Sequence, residues 1–273
     1  MNVNKQNMVQ KTVDVLNYLA ANPQGSALSD VARELNYPKT TVHDILKTLM
    51  LNDFVQLSAK KEDTGNGAAK LRGKYAGNSS AARCKYGIGA QVYTIGIGYL
   101  ETSSVFMTAK PYLILLADKY EKTTFLAKRH YDHVVCIYKY ASLHANAPTG
   151  NIGDQKRLHS TAIGKCYLAF DSEAFHFINT IDLPSFTPYT ITDRKELKKH
   201  IDELRSLGYS WEKRESHIKM ACLAAPIFTH GIMVGTISMT GWYKEDEDFT
   251  SQGNEIAQLA KLITAALEQG GEI

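Results

Sequence analysis

The chain offers no cysteine framework. Its four cysteines, Cys84, Cys136, Cys166 and Cys222, are widely spaced and contain no CxxC pair. That excludes a paired-cysteine zinc or redox motif and fits thiols used as small apolar residues in a reducing compartment. A long uninterrupted apolar run is also missing. The best stretch, residues 221–242, is broken near its middle by Pro226, Thr229, His230 and Gly231. Since a membrane span needs about 20 apolar residues in a row, the stretch reads as a buried β-hairpin. The opening MNVNKQNMVQ has no apolar signal core, and a cytoplasmic protein is expected. There is no internal repeat and no glycine loop suited to cradling phosphates. The net charge of +3 is too mild to announce a nucleic-acid partner by itself.

What is present begins at residues 26–51, SALSDVARELNYPKTTVHDILKTLML. Val42, Ile45, Leu46, Leu49 and Met50 recur at helical spacing and predict one buried face. Lys39, Thr40, Thr41, His43, Asp44, Lys47 and Thr48 are left outside, the donor-rich chemistry of a helix entering the DNA major groove N-terminus first. An earlier helix over 6–21 is expected, with Val9, Val13, Leu16 and Ala20 inward. Ser29 suits the N-cap of the second helix, and Pro38 the start of the third. The run FVQL alternates like a strand, and YGIGAQVYTIG from Tyr86 can supply its partner. Three helices and a two-stranded ribbon make a winged helix-turn-helix.

Charge is unevenly placed. Residues 1–58 carry five Lys/Arg and five Asp/Glu, whereas 59–85 carry seven basic and two acidic residues. Residues 86–273 hold nineteen basic and twenty-one acidic side chains. The basic excess therefore sits in a loop rich in Ala, Gly, Lys and Ser, a composition unable to build a packed core. Its Lys60, Lys61, Lys70, Arg72, Lys74, Arg83 and Lys85 suit flanking phosphates or a minor groove. A tolerated surface insertion explains them equally well, because long loops cost little closure entropy.

Beyond the loop, residues 91–120 are predicted helical with a restart at Pro111, followed by strands over 123–128 and 134–140. Helices are expected over 161–170, 193–207 and 251–267, a short strand over 209–213, and the hairpin over 220–240. This mixture predicts an α+β domain with helices packed on one sheet. His159, Ser160 and Thr161 precede Ala162, Ile163, Gly164 and Lys165 as a capped helix start, where free amides and the helix dipole favour a carboxylate. If the hairpin turn centres on His230, Cys222 lies opposite Ser238, with Thr240 on the same face. Small donors on an apolar strand pair suit a compact polar ligand.

Four stretches together carry a family resemblance: LSDVARELNYPKTTVHDILKTL, YGIGAQVYTIG, RLHSTAIGKCYLAF, and GYSWEKRESHIKMACLAAPIF with GTISMTG. Through them the chain resembles the IclR family of bacterial transcription regulators over nearly its whole length. The resemblance implies a winged helix-turn-helix over 1–90 with a wing insertion at 59–85, and a linker helix over 91–108. It implies a GAF-like effector-binding and oligomerisation domain over 109–273. Dimers or tetramers on a palindromic double-stranded DNA operator, a small organic acid as effector, and repression as the commoner outcome are further implications. DNA contacts then fall to Lys39, Thr40, Thr41, His43, Lys47, Lys60, Lys61 and Arg72. The effector falls to Ser160, Thr161, Gly164, Glu212, Met220, Cys222, Ser238 and Thr240. No cofactor, metal or membrane partner is expected.

The chain departs from the resembled pattern in its long wing, in Asp44 where arginine is common, and in Glu212 where aspartate is common. Two other readings compete. One is an enzyme using Cys222 or Cys166 as nucleophile, although no spacing pairs a histidine with Cys222 and its neighbours are apolar. The other is a winged helix that contacts RNA or protein. The pair His130 and His133 suggests a metal site less well than a polar turn between strands.

Overall fold

The computed structural model describes residues 7–58, 84–147 and 149–270. They divide into two compact units, with the boundary between Leu100 and Glu101. The expected wing contacts Lys60, Lys61, Arg72, Lys70, Lys74 and Arg83 lie outside the described residues.

Unit 1 contains α1 (Met8–Ala21), α2 (Leu28–Glu34), α3 (Lys39–Leu51), the antiparallel pair β1 (Val55–Ser58) and β2 (Lys85–Ile88), and all but the last residue of α4 (Ala90–Glu101). Val15, Leu19, Val31, Val42, Ile45, Leu46, Leu49 and Val55 form its core. The stripe of α3 is the one its spacing predicts. That of α1 is rotated: Val15 and Leu19 are buried, while Val9 and Val13 are 71% and 42% exposed. The α1 sequence carries apolar residues on more than one face, and packing chose between them.

The cap of α2 also differs from expectation. Ala27 occupies the N-cap without a side-chain bond, so Ser29 lies inside the first turn. Ser26 exchanges two backbone hydrogen bonds with Tyr86, at 2.9 and 2.8 Å, and ties the loop before α2 to the wing. Gly89 is required where β2 becomes α4, because a Cβ there would lie 2.2 Å from the Asp53 carbonyl oxygen.

Unit 2 is built on a six-stranded antiparallel sheet in the order β5-β4-β3-β8-β7-β6. Its strands are β3 (Thr123–His130), β4 (His133–Ala141), β5 (Gln155–Arg157), β6 (Ser210–Lys213), β7 (Met220–Thr229) and β8 (Ile232–Trp242). Helices α5 (Ser104–Tyr120) and α9 (Phe249–Gln269) pack against the sheet, as do α6 (Ala162–Phe170) and α8 (Arg194–Leu207). Residues Ser172–Phe175 form the short α7. The fold is α+β, as the sequence predicts.

The helix break expected at Pro111 falls instead at Thr102 and Ser103, where Ser103 accepts from the Phe106 amide at 3.3 Å. Pro111 lies within α5 on an exposed position, where the helix tolerates the missing N–H. The hairpin register is corrected too. The turn residues are His230 and Gly231, both at positive φ (48° and 75°), the geometry of a two-residue hairpin turn. A bulge between Ile227 and Phe228 then shifts the ladder, so Cys222 pairs with Thr240 and Ala224 with Ser238. The shift from the expected register is two residues. It preserves the face, because side chains alternate with period two.

Candidate functional site

Each unit presents one arrangement with chemical potential. In unit 1 it is the outer face of α3. Burial of Val42, Ile45, Leu46 and Leu49 leaves Lys39, Thr40, His43, Asp44, Lys47 and Thr48 exposed and Thr41 half-buried. The first-turn amides of such a helix have no intrahelical acceptor, and with Lys39 beside them they suit a phosphate oxygen. Asp44 is engaged locally, 3.3 Å from His43 Nδ1.

In unit 2 a cavity of about 200 Å³ opens on one face of the sheet. That is below the roughly 300–1,000 Å³ of pockets for drug-sized ligands, a size suited to a compact molecule. The floor is a row of side chains crossing five strands: Lys156 on β5, Cys136 on β4, Phe125 on β3, Ser238 and Thr240 on β8, and Cys222 on β7. Thr161, Ala162 and Ile163 at the start of α6 form part of the wall, with Met220, Ser216 and His217 on the β6–β7 side and Thr149 and Gly150 before β5.

The start of α6 is shaped by two contacts. Thr161 Oγ1 donates to the Arg157 carbonyl at 2.7 Å and accepts from the Gly164 amide at 3.1 Å. Gly164 lies so close to the preceding chain that a Cβ would meet Arg157 O at 2.2 Å and Leu158 Cα at 2.5 Å. Close chain approach, and not ligand contact, accounts for that glycine.

Behind the cavity lies a buried ionic cluster. Glu212 is fully buried. Its carboxylate accepts from the Glu215 amide (2.8 Å), the Ser216 amide (3.4 Å), Ser216 Oγ (2.7 Å) and Cys222 Sγ (3.3 Å). Lys165, also fully buried, donates to Glu215 and faces the Trp211 ring at 5.8 Å. Burial lowers the Lys165 ammonium, and burial raises Glu215 to about 7 against the pull of Lys165. Burial, reinforced by the Glu212 charge, pushes the Cys222 thiol well up. Burial likewise raises Cys136 to about 11.

Of the expected effector residues, the cavity brings together Thr161, Met220, Cys222, Ser238 and Thr240. Ser160, Gly164 and Glu212 are buried outside its wall. Buried on β6, Glu212 fixes the turn that presents Ser216 and His217. Lys156, Cys136, Phe125, Thr149, Gly150, Ser216 and His217 also line the cavity and are not among the expected effector residues. Strand β5 has only three residues and no legible pattern, so only its pairing with β4 reveals Lys156. For Ser216 the available signal was a buried acid four residues earlier, whose acceptor capacity demands nearby donors.

Residues 8–58 match the family description "IclR helix-turn-helix domain", and residues 97–268 match "Bacterial transcriptional regulator IclR C-terminal". The chain is 26% identical over 264 residues to the HTH-type transcriptional repressor AllR of Escherichia coli strain K12, covering 95% of this chain and 89% of that one. Its fold is similar to that of an IclR-type regulator from Alicyclobacillus acidocaldarius, with TM-score 0.76, 22% identity and coverage of 96% and 97%. It is also similar to an IclR homologue from Microbacterium hydrocarbonoxydans crystallised with 4-hydroxybenzoate. There the TM-score is 0.71, the identity 17%, and the coverage 95% and 100%.

Proposed function

Because this chain belongs to the IclR family of bacterial transcriptional regulators, we propose that it represses transcription from a DNA operator and that a small organic acid in the unit 2 cavity controls that binding. The cavity carries this reading. It is compact, largely apolar, and lined by the hydroxyls of Thr161, Ser238 and Thr240 and the thiol of Cys222. A ligand-bound homologue supports small-molecule control, and the AllR relative supports repression. Lys39, Thr40, Thr41, His43 and Lys47 are the proposed DNA contacts in unit 1, on the outer or partly exposed surface of α3.

A homodimer or homotetramer on a palindromic site fits α4, a twelve-residue helix with no buried residue on which Tyr93 and Ile95 are 72% and 54% exposed. Such an apolar helix surface suits a second copy of the chain. The proposed domain organisation has α4 within the linker, and a cytoplasmic location accords with DNA binding. Among the described residues no helix is long and apolar enough to cross a membrane.

The enzyme reading gains Glu212 as a base beside Cys222, yet burial and that same carboxylate hold the thiol protonated. A sensor without turnover is the better account. Nuclease protection of DNA upstream of the gene, repeated with a panel of small organic acids, tests the proposal. A protected palindrome released by one acid, which also raises the melting temperature of the protein, is the expected result. Absence of protection on upstream DNA would overturn it.

A further inference from the structure

The cavity has two chemically opposite ends. Lys156 supplies a cation at the β5 end. Its ammonium carries three N–H groups, and among the described residues it donates to Asp154, at 3.0 Å. Asp154 Oδ2 is also occupied by the Asn151 amide at 2.8 Å. The ammonium thus retains donors for an anion while Asp154 holds its position. Gly150 lets the chain close over this pair: a Cβ there would lie 2.3 Å from Lys156 Nζ and 2.6 Å from Asp154 Oδ2.

At the β7–β8 end the hydrogen bonds run in one direction. Thr240 Oγ1 donates to Cys222 Sγ at 3.2 Å, and Cys222 Sγ donates to the Glu212 carboxylate at 3.3 Å. An ionised carboxylate only accepts, so the order of the chain is set from Glu212 outward. Thr240 has spent its one hydrogen and offers lone pairs to the cavity. A second carboxylate arriving there would find an acceptor and, behind it, a buried negative charge. A hydroxyl would find the acceptor it needs.

We propose that the cavity holds a small hydroxy acid in one orientation, its carboxylate on Lys156 at the β5 end and its hydroxyl donating to Thr240 at the β7–β8 end. This rests on the effector reading above and adds the ligand's chemical class and polarity. Lys156 is the specificity-determining residue for the anion, and the Thr240–Cys222–Glu212 chain selects a donor over a second acid. Lys156 and Thr240 line the same cavity of about 200 Å³, so a ligand that meets both is compact.

The test is calorimetric titration of the full-length protein at pH 8 with 4-hydroxybutyrate, its primary amide 4-hydroxybutyramide, and the dicarboxylate succinate. The wild type should bind the hydroxy acid at least about tenfold more tightly than either analogue, the equivalent of one charge-assisted hydrogen bond. Lys156→Met should abolish the preference for acid over amide without lowering the melting temperature of the free protein, and Lys156→Arg should keep it. Succinate binding as tightly as the hydroxy acid, or equal weakening of acid and amide by Lys156→Met, would overturn the orientation while leaving effector binding intact. If none of the three probes binds, the orientation proposal falls. The effector reading then fails separately only if the wider acid panel neither binds nor alters operator protection.

Discussion

Glu212 and Cys222 are cross-strand partners on β6 and β7, and the thiol donates to the carboxylate at 3.3 Å. The pairing joins a cavity residue to a buried acid that also fixes the turn after β6. Substituting Glu212→Gln replaces one accepting oxygen by an NH2 group and leaves buried amides or Ser216 without a partner. A loss of about 1–3 kcal/mol is expected, measured by urea denaturation. Faster hydrogen exchange at the Glu215 and Ser216 amides should accompany it. Unchanged exchange at both would contradict the anchoring role.

Lys165 and Glu215 test how a buried pair behaves when one partner is removed. Lys165→Met leaves Glu215 and Glu212 together without their cation and should cost about 3–5 kcal/mol. The double variant Lys165→Met with Glu215→Gln should recover a substantial part, because the uncompensated charge goes with its partner. Denaturant titrations of the wild type, both single variants and the double variant check this as a cycle. Additive losses would show that the pair contributes through packing alone.

His200 gives a pH dependence with a definite sign. It is buried against the edge of Trp211, with ring centroids 4.7 Å apart, and burial lowers its folded pKa to about 4. An unfolded histidine titrates near 6.5, so between those values the unfolded chain binds the proton and the folded chain does not. Its contribution is present above pH 6.5 and is lost as pH falls toward 4, by up to about 1.4 kcal/mol per pH unit. Glu215, raised to about 7, acts in the opposite sense, because its folded form holds a proton that the unfolded chain releases above about 4.5. The clean measurement is therefore the difference between wild type and His200→Phe at pH 7.5 and pH 5. The variant should gain stability relative to wild type at pH 5. A pH-independent difference would rule the assignment out.

On α3, basic and hydroxyl residues should separate affinity from selectivity. Lys39→Ala and Lys47→Ala should each reduce the slope of log affinity on log salt by about one, on specific and unrelated DNA alike. Thr41→Ala should instead narrow the gap between operator and unrelated sequence. Fluorescence anisotropy across a salt series measures both quantities. Equal weakening of all DNA by Thr41→Ala would place that hydroxyl on phosphate and not on a base.

Some of this protein is determined by sequence alone. The α3 stripe at Val42, Ile45, Leu46 and Leu49 fixes that helix and its outward face, because periodic burial needs only local spacing. Thr161 as the cap of α6, Asp193 as the cap of α8 and left-handed Gly208 at its end are likewise local. The strand face holding Cys222, Ser238 and Thr240 was legible, since alternation survives a two-residue error in register. Tertiary structure decided the rest. The bulge beyond Ile227 set which residues pair, and packing chose Val15 and Leu19 over Val9 and Val13 on α1. Glu212, Lys165 and Glu215 are charged in sequence and buried in space, where their roles depend on partners up to 50 residues away. Lys156 reaches the cavity only because a three-residue strand pairs at the sheet edge. Local spacing encodes which face a side chain takes, whereas the partner it meets there is set by the long-range closure of the sheet.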